Sequence, residues 1–197
     1  MNIEMLLGLT LFAVVSITTP GPNNLMLMSS GANFGFKRSI PHMLGITFGV
    51  GFMIFGVGMG LMNAFELFPV SHIILQTLSV IYLIYLAYKI ANSNFNARDC
   101  DDGAKPLTFF QACAFQWVNP KAWSMALTAI SVYSPDKTLE SILFIACVFA
   151  LVNAPSASVW TLLGQKISVL LHHPRRLKIF NLTMAGCLLA SIYPVFI

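Results

Sequence analysis

Charge is what this sequence has least of. Asp, Glu, Lys and Arg make up 9% of its 197 residues, against about a quarter in a typical soluble domain. So few charged side chains cannot coat a water-facing surface. With 57% hydrophobic residues and a mean hydropathy of +0.77, the composition is that of an integral membrane protein. Further absences narrow the chemistry. There is no H-E-x-x-H, no P-loop and no G-x-S-x-G elbow. The apolar segments hold no paired carboxylates. These absences argue against an enzyme, an ATP-driven pump and any bound cofactor. The four cysteines, Cys100, Cys113, Cys147 and Cys187, show no C-x-x-C spacing. Three of them fall in apolar segments, where Cys is a small filler. The N-terminus carries Glu4 but no basic region, and its apolar segment is longer than that of a cleavable signal peptide.

What is present is a set of charge-free runs: Met5–Phe36, Ser39–Phe65, Leu67–Tyr88, Ser141–Gln165 and Ile179–Ile197. A sixth, Pro106–Pro135, is broken only by Lys121. A spanning helix needs roughly 20 apolar residues. The expectation is an all-α bundle of six transmembrane helices, near 4–30, 40–63, 70–91, 107–132, 139–163 and 178–197. The net charge of +4 does not call for a nucleic-acid partner. Lys37, Arg38, Lys89, Arg98, Lys105, Lys166, Arg175, Arg176 and Lys178 gather at the odd-numbered loops, and basic loops stay on the cytoplasmic side. Both termini are therefore expected on the outer side.

The chain reads as one membrane domain, 1–197, in two halves. The polar linker 92–106 separates residues 1–91 from residues 107–197. Its Asp99, Asp101 and Asp102 read as a solvated loop, with no His nearby to complete a metal site. Three spans per half send the second half into the membrane from the opposite side, the topology of an inverted repeat. Each half opens on an interrupted helix. Pro20-Gly21-Pro22-Asn23-Asn24 falls within the first span and Asn119-Pro120-Lys121 within the fourth. Proline removes an amide donor and clashes with the preceding turn. In hydrocarbon each unsatisfied backbone group costs several kcal/mol, so such a break is tolerated where it is buried in protein or lines a wet cavity. Paired interruptions in corresponding places point to a transporter's binding site. A simple proline kink is the plainer alternative for either break taken alone.

Lys121 sharpens the pattern. It is the one charged side chain deep in a predicted span, where lysine costs about 2.5–3.5 kcal/mol on insertion scales. No Asp or Glu lies at comparable depth, so its partner is expected to arrive as a ligand carboxylate. Helix N-termini at the breaks add positive potential. Asn23, Asn24 and Asn119, with freed carbonyls, are placed to accept hydrogen bonds from an ammonium group. A small zwitterionic amino acid would then be held at both ends near the midplane.

Other residues carry weaker signals. His42 is either a proton carrier or an interfacial side chain, and Glu66 in the second loop is the other candidate for coupling. Asn153 and Pro155 are expected to interrupt the fifth helix and line the same cavity. Gly45, Gly49, Gly56 and Gly60 form G-x-x-x-G pairs. These fit close packing within the bundle, or less readily a homodimer interface. Scarce membrane carboxylates and unpaired Cys and His argue against a metal cation as cargo. A non-transporting membrane scaffold would not need Lys121 at mid-span.

Thr19-Pro20-Gly21-Pro22-Asn23-Asn24, followed by Gly35-Phe36 and the basic pair Lys37-Arg38, resembles the signature of the LysE/RhtB amino-acid exporters. Asn119-Pro120-Lys121 resembles the motif opening that family's second half. Trp160, Gly164 and the pattern Tyr82, Leu86, Lys89-Ile90 add to the resemblance, which covers essentially the whole chain. Many members carry a Gly-Ala pair where this chain has Ser79-Val80. The resemblance implies proton-motive-force-driven efflux of amino acids across the bacterial inner membrane. The form of the first motif is most similar to exporters of cysteine and O-acetylserine, with threonine and homoserine exporters close by.

Overall fold

The computed structural model describes residues 3–61, 67, 69–92, 105–171 and 173–191. Among these, eight α-helices and one 3-10 turn occur, and no strand. We number them α1 (Ile3–Thr18), α2 (Pro22–Phe34), α3 (Phe36–Gly58), α4 (Pro69–Ala91), α5 (Phe109–Gln116), α6 (Pro120–Tyr133), α7 (Leu139–Ile167) and α8 (Pro174–Ala190). The 3-10 turn Ser168–Leu171 follows α7. Glu66 and the linker aspartates lie outside the described residues.

Among the described residues, three helices are long and apolar enough to cross a membrane: Phe36–Gly58, Ile73–Ala91 and Leu139–Leu171. The pair α1 and α2 meets the same test together, with a 54° bend between its members. Several helix bounds differ from expectation. The second apolar helix begins at Phe36, not near 40, because Gly35 turns the chain with φ 78° and lets a new helix start at once. Gln165 of α7 caps that start, its Oε1 accepting from the Phe36 N–H at 2.6 Å. The last helix starts at Pro174 with His173 as N-cap, four residues before the expected 178. Proline at a first helical turn forfeits no intrahelical bond, and the basic residues that follow it are simply helical. The fifth apolar segment is also corrected. α7 runs unbroken from Leu139 to Ile167 with Pro155 inside it, so Asn153 and Pro155 do not interrupt a helix.

The centre of the bundle is α2, α3 and α7, with α1, α5 and α6 packed around them and α4 resting on α8. Lipid tails are as apolar as leucine, so close backbone approach and polar contacts hold such helices together. Gly31 of α2 and Gly164 of α7 make the closest approach. A methyl group on Gly31 would lie 2.0 Å from the Thr161 carbonyl oxygen, and one on Gly164 would lie 2.0 Å from that of Met28. Gly45 and Gly49 of α3 meet α5 at Phe109, Ala112 and Cys113. Those two glycines therefore serve packing within the bundle. Buried amides add to the fastening. Asn33 of α2 donates to Asn181 of α8 at 3.1 Å, and Asn153 of α7 donates to Thr47 of α3 at 2.9 Å. On α4, Ile74, Leu78, Ile81 and Tyr85 are each more than half exposed. They recur at helical spacing and form a lipid-facing stripe.

Candidate functional site

Two helix junctions lie about 100 residues apart in sequence and meet in space. At the first, α1 stops at Thr18 and α2 starts at Pro22, with Gly21 as an extended N-cap. Thr19 and Gly21 each precede a proline, and a residue in that position is pushed away from helical geometry. At the second, α5 ends at Gln116 and α6 starts at Pro120. Asn119 is the N-cap, its Oδ1 accepting from the Lys121 N–H at 3.2 Å. Pro22 and Pro120 both occupy the first turn, where proline's missing N–H costs nothing.

Side chains from each junction close on the other. The Lys121 Nζ donates to the Thr19 carbonyl oxygen and to the Thr19 Oγ1, both at 2.8 Å. Its aliphatic stem crosses Gly21, where a Cβ would come within 2.8 Å of the Lys121 Cδ. Glycine there leaves room for the lysine to pass. Asn23 and Gln116 exchange amide hydrogen bonds, Asn23 Nδ2 to Gln116 Oε1 at 2.9 Å and Gln116 Nε2 to Asn23 Oδ1 at 3.1 Å. Asn24 donates through Nδ2 to the carbonyl oxygens of Ile17 and Thr19, at 2.8 and 2.9 Å. Both are carbonyls left over at the end of α1, and the Thr19 carbonyl is shared between Asn24 and Lys121.

This corrects the expectation for Lys121. It does not wait without a partner, because Thr19 supplies two oxygens. The amides are also committed. Asn23 pairs with Gln116, Asn24 caps α1 and Asn119 caps α6. The pocket bordered by Ser16, Gly21, Asn24, Asn119, Lys121 and Asn153 measures about 10 Å³. That is about the room a single water needs. Pro20, Gly21, Pro22, Asn23, Asn24, Asn119, Pro120, Lys121 and Asn153 are thus brought to one place, with little free space between them. Sequence reasoning missed Thr19 and Gln116 as partners. Gln116 is fully buried, and a polar amide within an apolar run was its only signal.

His42 belongs elsewhere. It is 2% exposed, not interfacial. It borders a separate chamber of about 360 Å³, together with Ser29 and Ser30 of α2 and Lys89 of α4. A third space of about 620 Å³ lies near Met5, Tyr133, Asp136 and Glu140. The three follow one another along the chain of α1 and α2: Met5 borders one, Ser16 to Asn24 the next and Met26 to Phe34 the last.

Comparison with known proteins bears on these features. The family model described as LysE type translocator matches residues 14–193. A cysteine/O-acetylserine efflux protein of Salmonella typhimurium is 28% identical over 190 residues, covering 92% of this chain and 94% of that protein. The Escherichia coli K12 protein of the same name is 28% identical over 158 residues, or 78% of each chain. No solved structure gives a significant match. With membrane-length apolar helices and a family match spanning nearly its whole length, the chain is a multi-pass membrane protein and belongs to the LysE type translocator family.

Proposed function

We propose that this protein is a secondary transporter that exports a small amino acid or derivative, of the cysteine/O-acetylserine or threonine/homoserine class, across the bacterial inner membrane. The observation that carries the reading is the meeting of the two junctions. A lysine and four side-chain amides converge beside two helix N-termini, inside a member of a translocator family. The efflux relatives are named for cysteine and O-acetylserine, which supports an amino-acid cargo and favours the first of these classes. Lys121 exchanges the Thr19 oxygens for the substrate carboxylate. Asn23 and Asn24, with carbonyls at the end of α1, take the ammonium group. Helix N-termini favour anionic groups by about 0.3–1 kcal/mol each, and more where water is excluded.

In this reading the chain is an inverted repeat of two three-span halves, 1–91 and 107–197. The junctions at Pro22 and Pro120 interrupt the first span of each, and both termini lie on the periplasmic side. The proton motive force drives export. Scarce carboxylates in the apolar segments and unpaired Cys and His favour an organic cargo over a metal cation. The protein works by recognition and alternating access, as a single chain or a homodimer, with no covalent step.

The test is efflux from intact bacteria. Cells expressing the protein are loaded with cysteine, O-acetylserine, threonine, homoserine or lysine, and the external amino acids are followed over time. Faster loss of one neutral amino acid, at least tenfold slower with Lys121→Ala at equal membrane abundance, is the expected result. No accelerated efflux of any of the five would sink amino-acid export and leave another solute or a scaffold role.

A further inference from the structure

The chamber beside His42 has the features of a ligand site and is distinct from the closed pocket at the junctions. Its volume of about 360 Å³ falls in the range of small-molecule pockets, roughly 300–1,000 Å³. The junction pocket, at about 10 Å³, cannot admit an amino acid. At the chamber's floor His42 is 2% exposed, and neither ring nitrogen has a hydrogen-bond partner among the described residues. Buried polar side chains are nearly always satisfied, and an exception calls for an explanation. Uncharged imidazole offers one donor and one acceptor, and neither is matched by a protein group among the described residues. Ser30 lies beside it, its Oγ paired with that of Ser39 at 2.8 Å. Lys89 and Lys105 stand at the more exposed rim. The walls between rim and floor are apolar, from Met26, Leu86 and Leu107.

We propose that this chamber is a second binding site for the transported solute, an anteroom on the basic side of the protein. The inference rests on the reading of the protein as an amino-acid exporter. The ligand is a small zwitterionic amino acid. Its carboxylate is received by the lysines at the rim. Its ammonium group donates to the free acceptor nitrogen of His42 at the floor, and its side chain lies against the apolar wall. The far space, bordered by Asp136 and Glu140, offers carboxylates and no such histidine. The two ends are therefore unequal, and the basic chamber is the one that attracts an anionic group. The solute waits in the chamber until the junctions part, with α2 forming a wall of both places.

The test is equilibrium binding of labelled L-cysteine, kept reduced, to the full-length protein in lipid nanodiscs, where both faces are open. Lys121→Ala disables the junction site and isolates the chamber. Expected is saturable binding to the Lys121→Ala protein. His42→Leu in that background weakens it at least tenfold, and His42→Gln, which keeps a donor and an acceptor, stays within about threefold. Thermal unfolding of each variant identifies a folded protein, and Lys89→Ala with Lys105→Ala gives a second reading that leaves the core untouched. Its expected effect is also a tenfold loss. Binding that vanishes with Lys121→Ala alone, or that ignores both His42→Leu and the lysine pair, would overturn the chamber. The two readings fail separately. Efflux from cells with binding independent of His42 sinks the anteroom only. His42-dependent binding without efflux of any amino acid sinks export only.

Discussion

Asn23 and Gln116 face each other across the two helix junctions and exchange hydrogen bonds in both directions, at 2.9 and 3.1 Å. The pair joins the start of α2 to the end of α5. It is a contact between the two halves of the chain. Gln116 also donates to the Ala112 carbonyl oxygen at 3.0 Å, so its amide has little freedom to turn away.

The first prediction concerns that pair. Removing one partner leaves an amide group of the other without its match in a largely buried place, which costs about 1–3 kcal/mol. Gln116→Leu should therefore lower the unfolding midpoint in detergent. Asn23→Leu should do the same. The double variant should lose less than the sum, with a coupling energy of about 0.5–3 kcal/mol. Additive losses would mean that the two amides do not depend on one another.

Lys121 and Thr19 allow a graded test of the junction. Thr19 gives Lys121 a backbone and a side-chain oxygen. Thr19→Val removes one and keeps the other. Efflux should fall severalfold with Thr19→Val, and further with Lys121→Ala. A Thr19→Val protein as impaired as Lys121→Ala would show that the hydroxyl matters more than the charge of its partner.

Gly21 should act through the same lysine. A methyl group at residue 21 collides with the Lys121 side chain and not with backbone. Gly21→Ala should therefore fold and insert normally while losing much of its transport. Loss of protein from the membrane would instead place the constraint in the backbone.

Gly31 and Gly164 should behave oppositely. Their added methyl groups would strike carbonyl oxygens of the facing helix at 2.0 Å, and backbone cannot swing aside. Either alanine variant should destabilise the α2–α7 contact by about 3 kcal/mol, the upper end for overpacking. The readout is membrane abundance and unfolding in detergent. Wild-type stability in both would show that the helices separate freely.

Gln165 offers a milder case. Gln165→Ala deprives the Phe36 N–H of its acceptor and should cost about 1 kcal/mol, as loss of a helix cap does. A glutamate at that position keeps the acceptor and should restore most of the stability.

Some of this was legible in the residues and some was not. The helical class and the membrane setting follow from sparse charge and long apolar runs, because burial in lipid acts on every residue of a span. Lys121 stood out because lysine at that depth is expensive. Its partner did not. Thr19 is 102 residues away, and no local pattern encodes a contact at that range. The expected break at Asn153 and Pro155 misled for a related reason, although Asn153 does border the junction pocket. Proline disfavours a helix locally, yet α7 is held on both sides of Pro155 by its packing against α2 and α3. His42 misled through its place near a basic loop, since which face of α3 is covered is set by the helices packed against it.

The closeness of the junctions has a consequence for the resting membrane. Every amide that meets there is matched by a group of the protein itself, and the gap between them is no larger than one water. Ions and protons travel through membranes along files of water, and a gap of that size holds one water and not a file. The same bonds that seal the barrier are ones a zwitterion can replace with its own carboxylate and ammonium. A solute lacking either group would have to open the seal without compensating for the lost bonds. Impermeability and selectivity would then share one origin, and a variant that weakens the seal should leak before it changes its preference.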